Sequence, residues 1–233
     1  MRSDSIAEKR EGNALGEITY RGARITSIDS VVVQVQTWQA EHGLGTMVVG
    51  VIGERRGVGN TSFALQLAKQ ATGFGLGDVL YVEGGRDEPV PKGTRESSPK
   101  TRPGLVDHLN GLVELEECIV KRTDLGLFVL PWGAMHDSND RSVGPIMYQH
   151  VFQELRTRFS WVVVDLPVMT ELETVPACAS QVDGVIVVVD NQKSTATNVR
   201  AVLEGMAILQ IPVIGCVLNR YALPLPRWIS RWL

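Results

Sequence analysis

A chain of 233 residues with 44% hydrophobic and 21% charged residues fits one α/β domain, with ample length to bury a core. A net charge of −3 gives no general attraction to nucleic acid, and no apolar run approaches the ~18 residues of a membrane span. Three widely spaced cysteines (Cys118, Cys178, Cys216) in apolar surroundings and four scattered histidines (His42, His108, His136, His150) argue against a disulfide framework and a structural zinc, and predict core thiols in a reducing cytoplasm.

Residues 1–24 open with MRSDSIAEKREG, which is polar and lacks the apolar region of a signal peptide; a loose tail is expected there. The main domain is expected over residues 25–220. Ile28 to Trp38 is ambiguous: its Val and Gln residues alternate like a strand toward the end, yet it could pack as a short helix. Val48, Val49, Val51 and Ile52 read as a buried strand, followed by a turn rich in Gly and Arg. Thr61 then opens a helix carrying Phe63, Leu67 and Ala71 on one face. Asp78 to Glu83 is a second buried strand ending in an acid. Gly84 to Gly104 is a long loop with Pro89, Pro91, Pro99 and Pro103, and loops of that length are usually functional or mobile. Its basic residues (Arg86, Lys92, Arg95, Lys100, Arg102) are interleaved with Asp87, Glu88 and Glu96, which reads as a solvated loop.

A helix begins at Gly104, a short element is expected within Leu112 to Lys121, and a strand over Leu125 to Leu130. Trp132, His136 and Asp137 after it read as ordinary loop packing. Val143 to Phe159 is a helix with Ile146, Val151, Phe152 and Leu155 available to the core. Strands follow at Trp161 to Asp165, Val185 to Val189 and Val213 to Leu218, separated by helical segments near Ala177 to Gln181 and Ala196 to Leu209. Continuously apolar strands alternating with helices predict a doubly wound, mainly parallel sheet covered on both faces. Residues 221–233 (YALPLPRWISRWL) form a separate tail. Its Trp228, Ile229, Trp232 and Leu233, with Arg227 and Arg231 between them, suit either an amphipathic helix at a membrane interface or packing on the domain or a partner.

Ligands of open α/β sheets sit beyond the carboxyl ends of the strands, and four features fall there: Glu54 to Ser62, Glu83, Asp165 followed by Pro167, and Asn219 with Arg220. Strand, glycine turn and helix start aim backbone N–H groups and a helix dipole at a phosphate. An acid ending a hydrophobic strand opposite such a turn is a usual way to hold Mg²⁺, although any one such acid also serves as a helix cap or loop charge.

The order of these motifs resembles the cytoplasmic domain of bacterial tyrosine kinases (BY-kinases), within the MinD/ParA-like P-loop ATPases with a deviant Walker A motif. Arg55-Arg56-Gly57-Val58-Gly59-Asn60-Thr61 falls on K-G-G-x-G-K-T, and Val79 to Gly85 on a second Walker motif of the form V-L-L-I-D-x-D. Pro103 to Gly111 resembles P-G-L-x-D-x-L-x-G, and Leu127 to Gly133 the L-P-x-G strand end. Phe159 to Pro167 resembles Walker B, and Gly215 to Arg220 resembles G-x-V-L-N-R. The resemblance implies nucleotide contacts from Arg55, Gly57, Gly59, Asn60, Thr61, Ser62, Asn219 and Arg220, catalytic roles for Asp165 and Glu83, and Mg²⁺ held by Thr61, Asp165 and Glu83.

The departures bear on activity. Asn60 replaces the phosphate Lys, Arg56 a glycine, Arg55 the signature Lys, Glu83 the metal and base Asp, and Gly85 the other Asp. A charge-assisted phosphate contact is worth roughly 1.5–3 kcal/mol, so the missing Lys costs about 10- to 100-fold in binding and more in phosphoryl transfer. Arg55 or Arg56 folding back is the route by which that charge could return. Only Tyr221 lies near the end, so the tyrosine-rich tail of these kinases is missing, and the family's E-x-x-R-x-x-R oligomerisation pattern is not evident near residues 26–40. The expectation is a degenerate, catalytically impaired member that holds ATP and Mg²⁺ weakly at the inner face of the cell membrane. It would partner a membrane polysaccharide co-polymerase or chain-length protein in exopolysaccharide or capsule export, with homo-oligomerisation open. The alternatives are an active ATPase or tyrosine autokinase with a rearranged Walker site, and a MinD-like membrane-associated spatial regulator.

Overall fold

The computed structural model describes residues 27–84, 102–133, 144–168 and 175–220. The tails at 1–24 and 221–233, most of the proline-containing loop, His136 and Asp137 lie outside these residues. In chain order the elements are α1 (Ile28–Glu41), β1 (Met47–Gly53), α2 (Asn60–Gly73), β2 (Val79–Glu83), α3 (Leu105–Leu109), α4 (Leu115–Cys118), β3 (Val120–Arg122), β4 (Leu127–Leu130), α5 (Pro145–Arg158), β5 (Trp161–Asp165), α6 (Val175–Ala179), β6 (Gly184–Asp190), α7 (Ala196–Ile208) and β7 (Val213–Asn219). They build one seven-stranded sheet in the order β3-β4-β2-β5-β1-β6-β7, parallel throughout except where β3 runs antiparallel to β4.

Alternation along each strand divides the core into two layers. Val48, Ile52, Leu80, Val82, Val162, Val164, Val185, Val187 and Val189 face the cluster that also holds residues of α3 to α7. Met47, Val49, Val51, Val79, Tyr81, Trp161, Val163, Ile186 and Val188 face the cluster built with α1 and α2. The phase of this alternation puts the strand-end residues Glu83, Asp165 and Asp190 on the α2 face. Register pairs Glu83 with Asp165 and Asp190 with Asn219.

The ambiguous segment at 28 is helical. Val31, Val32 and Val35 are buried and Trp38 packs beside them, a spacing of one, four and seven residues that only a helix gathers on one side. Ser27 caps it through a hydrogen bond accepted from the Ser30 backbone N–H, and the Trp161 indole N–H donates to Gln39 at 2.9 Å. Two expectations are corrected. Ile146 is 67% exposed, because α5 buries Tyr148, Val151, Phe152 and Leu155, and position 146 lies on the opposite side of that stripe. Cys216 is exposed, because β7 is the edge of the sheet, whereas Cys118 and Cys178 are buried as expected.

Candidate functional site

The turn between β1 and α2 is shaped by two glycines in the left-handed region, Gly57 (φ 76°) and Gly59 (φ 93°). At Gly59 a side chain would collide with the amide of Asn219, so the glycine there also admits its neighbour. Asn219 Nδ2 donates to the Val58 carbonyl at 2.7 Å, and Arg220 Nη2 donates to the Gly57 carbonyl at 3.0 Å. The loop is therefore laced to the end of β7 through its carbonyls. Helix α2 starts at Asn60, one residue earlier than the sequence suggests.

Asn60 is buried at 4% exposure. Its Nδ2 donates to Asp165 Oδ1 at 3.0 Å, while its Oδ1 has no hydrogen-bond partner among the described residues. A neutral side chain thus lies against the acid at the end of β5, where the resemblance expects an ammonium group turned toward phosphate. Asp165 is itself 7% exposed, and the Tyr81 hydroxyl donates to its Oδ2 at 3.4 Å. Glu83 stands beside it in register, half-buried. Burial pushes the Glu83 carboxyl above the ordinary carboxylate range, against the lowering effect of a hydrogen bond from the Trp132 backbone.

That backbone is held by the motif at 103–111. The N–H groups of Leu105 and Val106 donate to the carbonyls of Pro131 and Trp132, both at 2.9 Å, and Asp107 accepts from the Gly104 N–H at 2.8 Å. Gly104 packs against this turn closely enough that a Cβ would strike backbone. The motif acts as a clasp on the end of β4, beside Glu83.

Two cations of the site, Arg55 and Arg220, are paired within the protein. Arg55 Nε lies 3.2 Å from Glu54 Oε1, and its Nη2 lies 3.2 Å from Asp190 Oδ2. Arg220 Nη1 donates to the same Asp190 oxygen at 2.6 Å. The Asp190 carboxyl is held below its usual range by a hydrogen bond from the Gln192 backbone N–H, with Arg220 and then Arg55 adding to that against burial. Ser194 joins the cluster by donating to Glu54 Oε1 and accepting from the Asp190 N–H at 2.8 Å.

The structure thus brings Arg55, Gly57, Gly59, Asn60, Thr61, Ser62, Glu83, Asp165, Asn219 and Arg220 to one edge of the sheet. Ser62 is exposed on α2 and Thr61 partly so. Asp190 and Ser194 are absent from the sequence-based site, and Glu54 enters it only as the first residue of the turn, with no role given to its side chain. The signal for Asp190 was present: it ends an apolar strand just as Glu83 and Asp165 do. Ser194 carries no such signal, nor does the pairing of Glu54 with it, because only folding sets the turn against the loop after β6. The backbone of the turn suits a phosphate. No ammonium group stands at position 60, and Arg55 and Arg220 beside the turn are engaged with Glu54 and Asp190.

No family model matches the chain. The kinase domain of Escherichia coli tyrosine kinase ETK superposes with a TM-score of 0.69 at 16% identity, over 85% of this chain and 79% of that one. The VpsO kinase domain superposes with a TM-score of 0.67 at 23% identity, over 83% of this chain and 95% of that one. The chain has the BY-kinase fold. That fold is a doubly wound, mainly parallel sheet, as the strand pattern leads one to expect, and of the MinD/ParA P-loop kind, as the resemblance implies. In sequence, this BY-kinase-like chain is 29% identical over 131 residues to the succinoglycan biosynthesis transport protein ExoP of Rhizobium meliloti (strain 1021). The match takes in 54% of this chain and spans 16% of ExoP's length. Among the described residues, no helix is long and apolar enough to cross a membrane.

Proposed function

We propose that this chain is a BY-kinase-like pseudokinase, serving as a partner or regulator in bacterial exopolysaccharide polymerisation and export. The similarity to ExoP supports the process, and the kinase-domain fold supports the domain type. The observation that carries the loss of catalysis is the Asn60–Asp165 hydrogen bond, which puts a neutral amide where a phosphate-binding cation is needed. In this reading Gly57, Gly59, Thr61, Ser62 and Asn219 preserve the shape of a nucleotide cradle for a scaffolding role. ATP and Mg²⁺ are at most weak ligands, and the chain contacts a membrane-embedded co-polymerase through surfaces of the intact fold. The domain boundaries that accompany this reading are 25–220 for the folded unit, with separate tails on either side. Isothermal titration with Mg·ATP tests it: affinity no better than tens of micromolar is expected, and sub-micromolar binding would overturn it.

A second reading has one observation in its favour. Asp165 and Thr61 keep the identities that the resemblance expects of a metal site, and Glu83 stands beside Asp165. An active ATPase or autokinase predicts steady ATP turnover that vanishes in Asp165→Ala. Absence of turnover in the unaltered protein removes it.

A further inference from the structure

The charge cluster beside the phosphate turn is not absorbed by the reading above. Its acids are Glu54 at 6% exposure and Asp190 at 0%, and Glu54 Oε2 has no hydrogen-bond partner among the described residues. Its cations are Arg55 and Arg220, so the formal charges cancel. Both guanidinium groups meet on a single oxygen, Asp190 Oδ2, at 3.2 and 2.6 Å, while Arg220 also reaches the Gly57 carbonyl of the turn.

We propose that Asp190 is a built-in competitor for phosphate, a carboxylate that occupies the two arginines next to the turn and so keeps the cradle from gaining the charge it lost at position 60. An arginine paired with a buried carboxylate must give up that pair before it can clasp a phosphate oxygen, and the two acceptors have the same sign and matching geometry. Neutralising Asp190 leaves the cluster with one net positive charge beside the N-terminus of α2. The proposal rests on the reading that the pocket holds triphosphate poorly, and it names the contact that maintains that state.

The test is isothermal titration of the full chain with inorganic tripolyphosphate, comparing the unaltered protein with Asp190→Asn and with Asp190→Asn/Arg55→Ala/Arg220→Ala. Asp190→Asn is expected to tighten binding by about tenfold or more, and removal of the arginines to abolish the gain. Because Asp190 is buried, Glu54→Gln serves as a second variant. It keeps an acceptor for Ser194, removes the other acid gripping Arg55, and is expected to tighten binding several-fold. Unchanged affinity in Glu54→Gln and in a folded Asp190→Asn overturns the proposal, as does a gain that survives without the arginines. Tight Mg·ATP binding by the unaltered protein would instead sink the pseudokinase reading, since the tripolyphosphate comparison reads only the ratio between variants.

Discussion

Asparagine at position 60 differs from lysine by a full charge and by several bonds of reach, and the structure shows where the shorter side chain goes. It turns onto Asp165 and joins the buried polar groups beneath the turn. Asn60→Lys is therefore expected to raise Mg·ATP affinity about 10- to 100-fold, the worth of one charge-assisted phosphate contact, as read by isothermal titration. Unchanged affinity in a folded Asn60→Lys protein would show that position 60 does not set the weakness of the site. Glu83 offers a pH readout. Its carboxyl is raised by burial, so the folded state holds the proton more tightly than the unfolded chain does. The resulting stability is fully present below the ordinary carboxylate value and is lost as pH rises through the raised one. Glu83→Gln should flatten this dependence and melt higher than the unaltered protein near neutral pH. Thermal melts between about pH 4 and about pH 8 check this, and parallel pH profiles for the two proteins would count against it.

Among the elements, β7 behaves least like its sequence. Val213 to Leu218 reads as a buried strand, yet it borders only β6, and Leu218 is 56% exposed. A run of apolar residues reports that a strand forms, not how many neighbours it has. Cys216 follows the same rule and is accessible at that edge, although its partly enclosed setting still pushes the thiol up. Cys178 is pushed to about 12 and Cys118 to about 11, both mainly by burial. Native-state labelling with a thiol reagent should modify Cys216 first and leave the other two until unfolding, as peptide mass mapping would show. Simultaneous labelling of all three would contradict the placement of β7. The helix α1 is the complementary case, where β-branched composition suggests a strand but the spacing of Val31, Val35 and Trp38 prevails through packing on α2 and the sheet.

Over the molecule as a whole, the site depends on β1 lying between β5 and β6, which places the turn opposite the ends of both. The far end of that arrangement is held by Arg156 on α5. Its guanidinium pairs in bidentate fashion with Asp183 at 2.8 and 2.9 Å, and Asp183 accepts from the Val48 N–H at 2.7 Å. Arg156 also donates to the carbonyls of Thr46 and Gln181. Arg156→Ala should cost about 1–2 kcal/mol, allowing for partial solvent screening, and chemical denaturation is the measurement. A loss under about 0.3 kcal/mol would mean that the staple is redundant.

Local chemistry carried the elements and the turn. Apolar strands ending in Glu83 and Asp165, glycines at 57 and 59, and a helix opening beside them were legible because each depends on residues near in sequence. The face those acids share was not, because continuously apolar strands show no alternation in sequence and only the sheet register sets it. The pairing of charges was not legible, because Glu54, Asp190, Ser194 and Arg220 are brought together from up to 166 positions apart by the order of β1, β6 and β7. A chain pattern specifies which residues are charged; which charge meets which is settled when strands distant in sequence become neighbours, and at this site that meeting leaves the arginines on carboxylates rather than facing an open cradle.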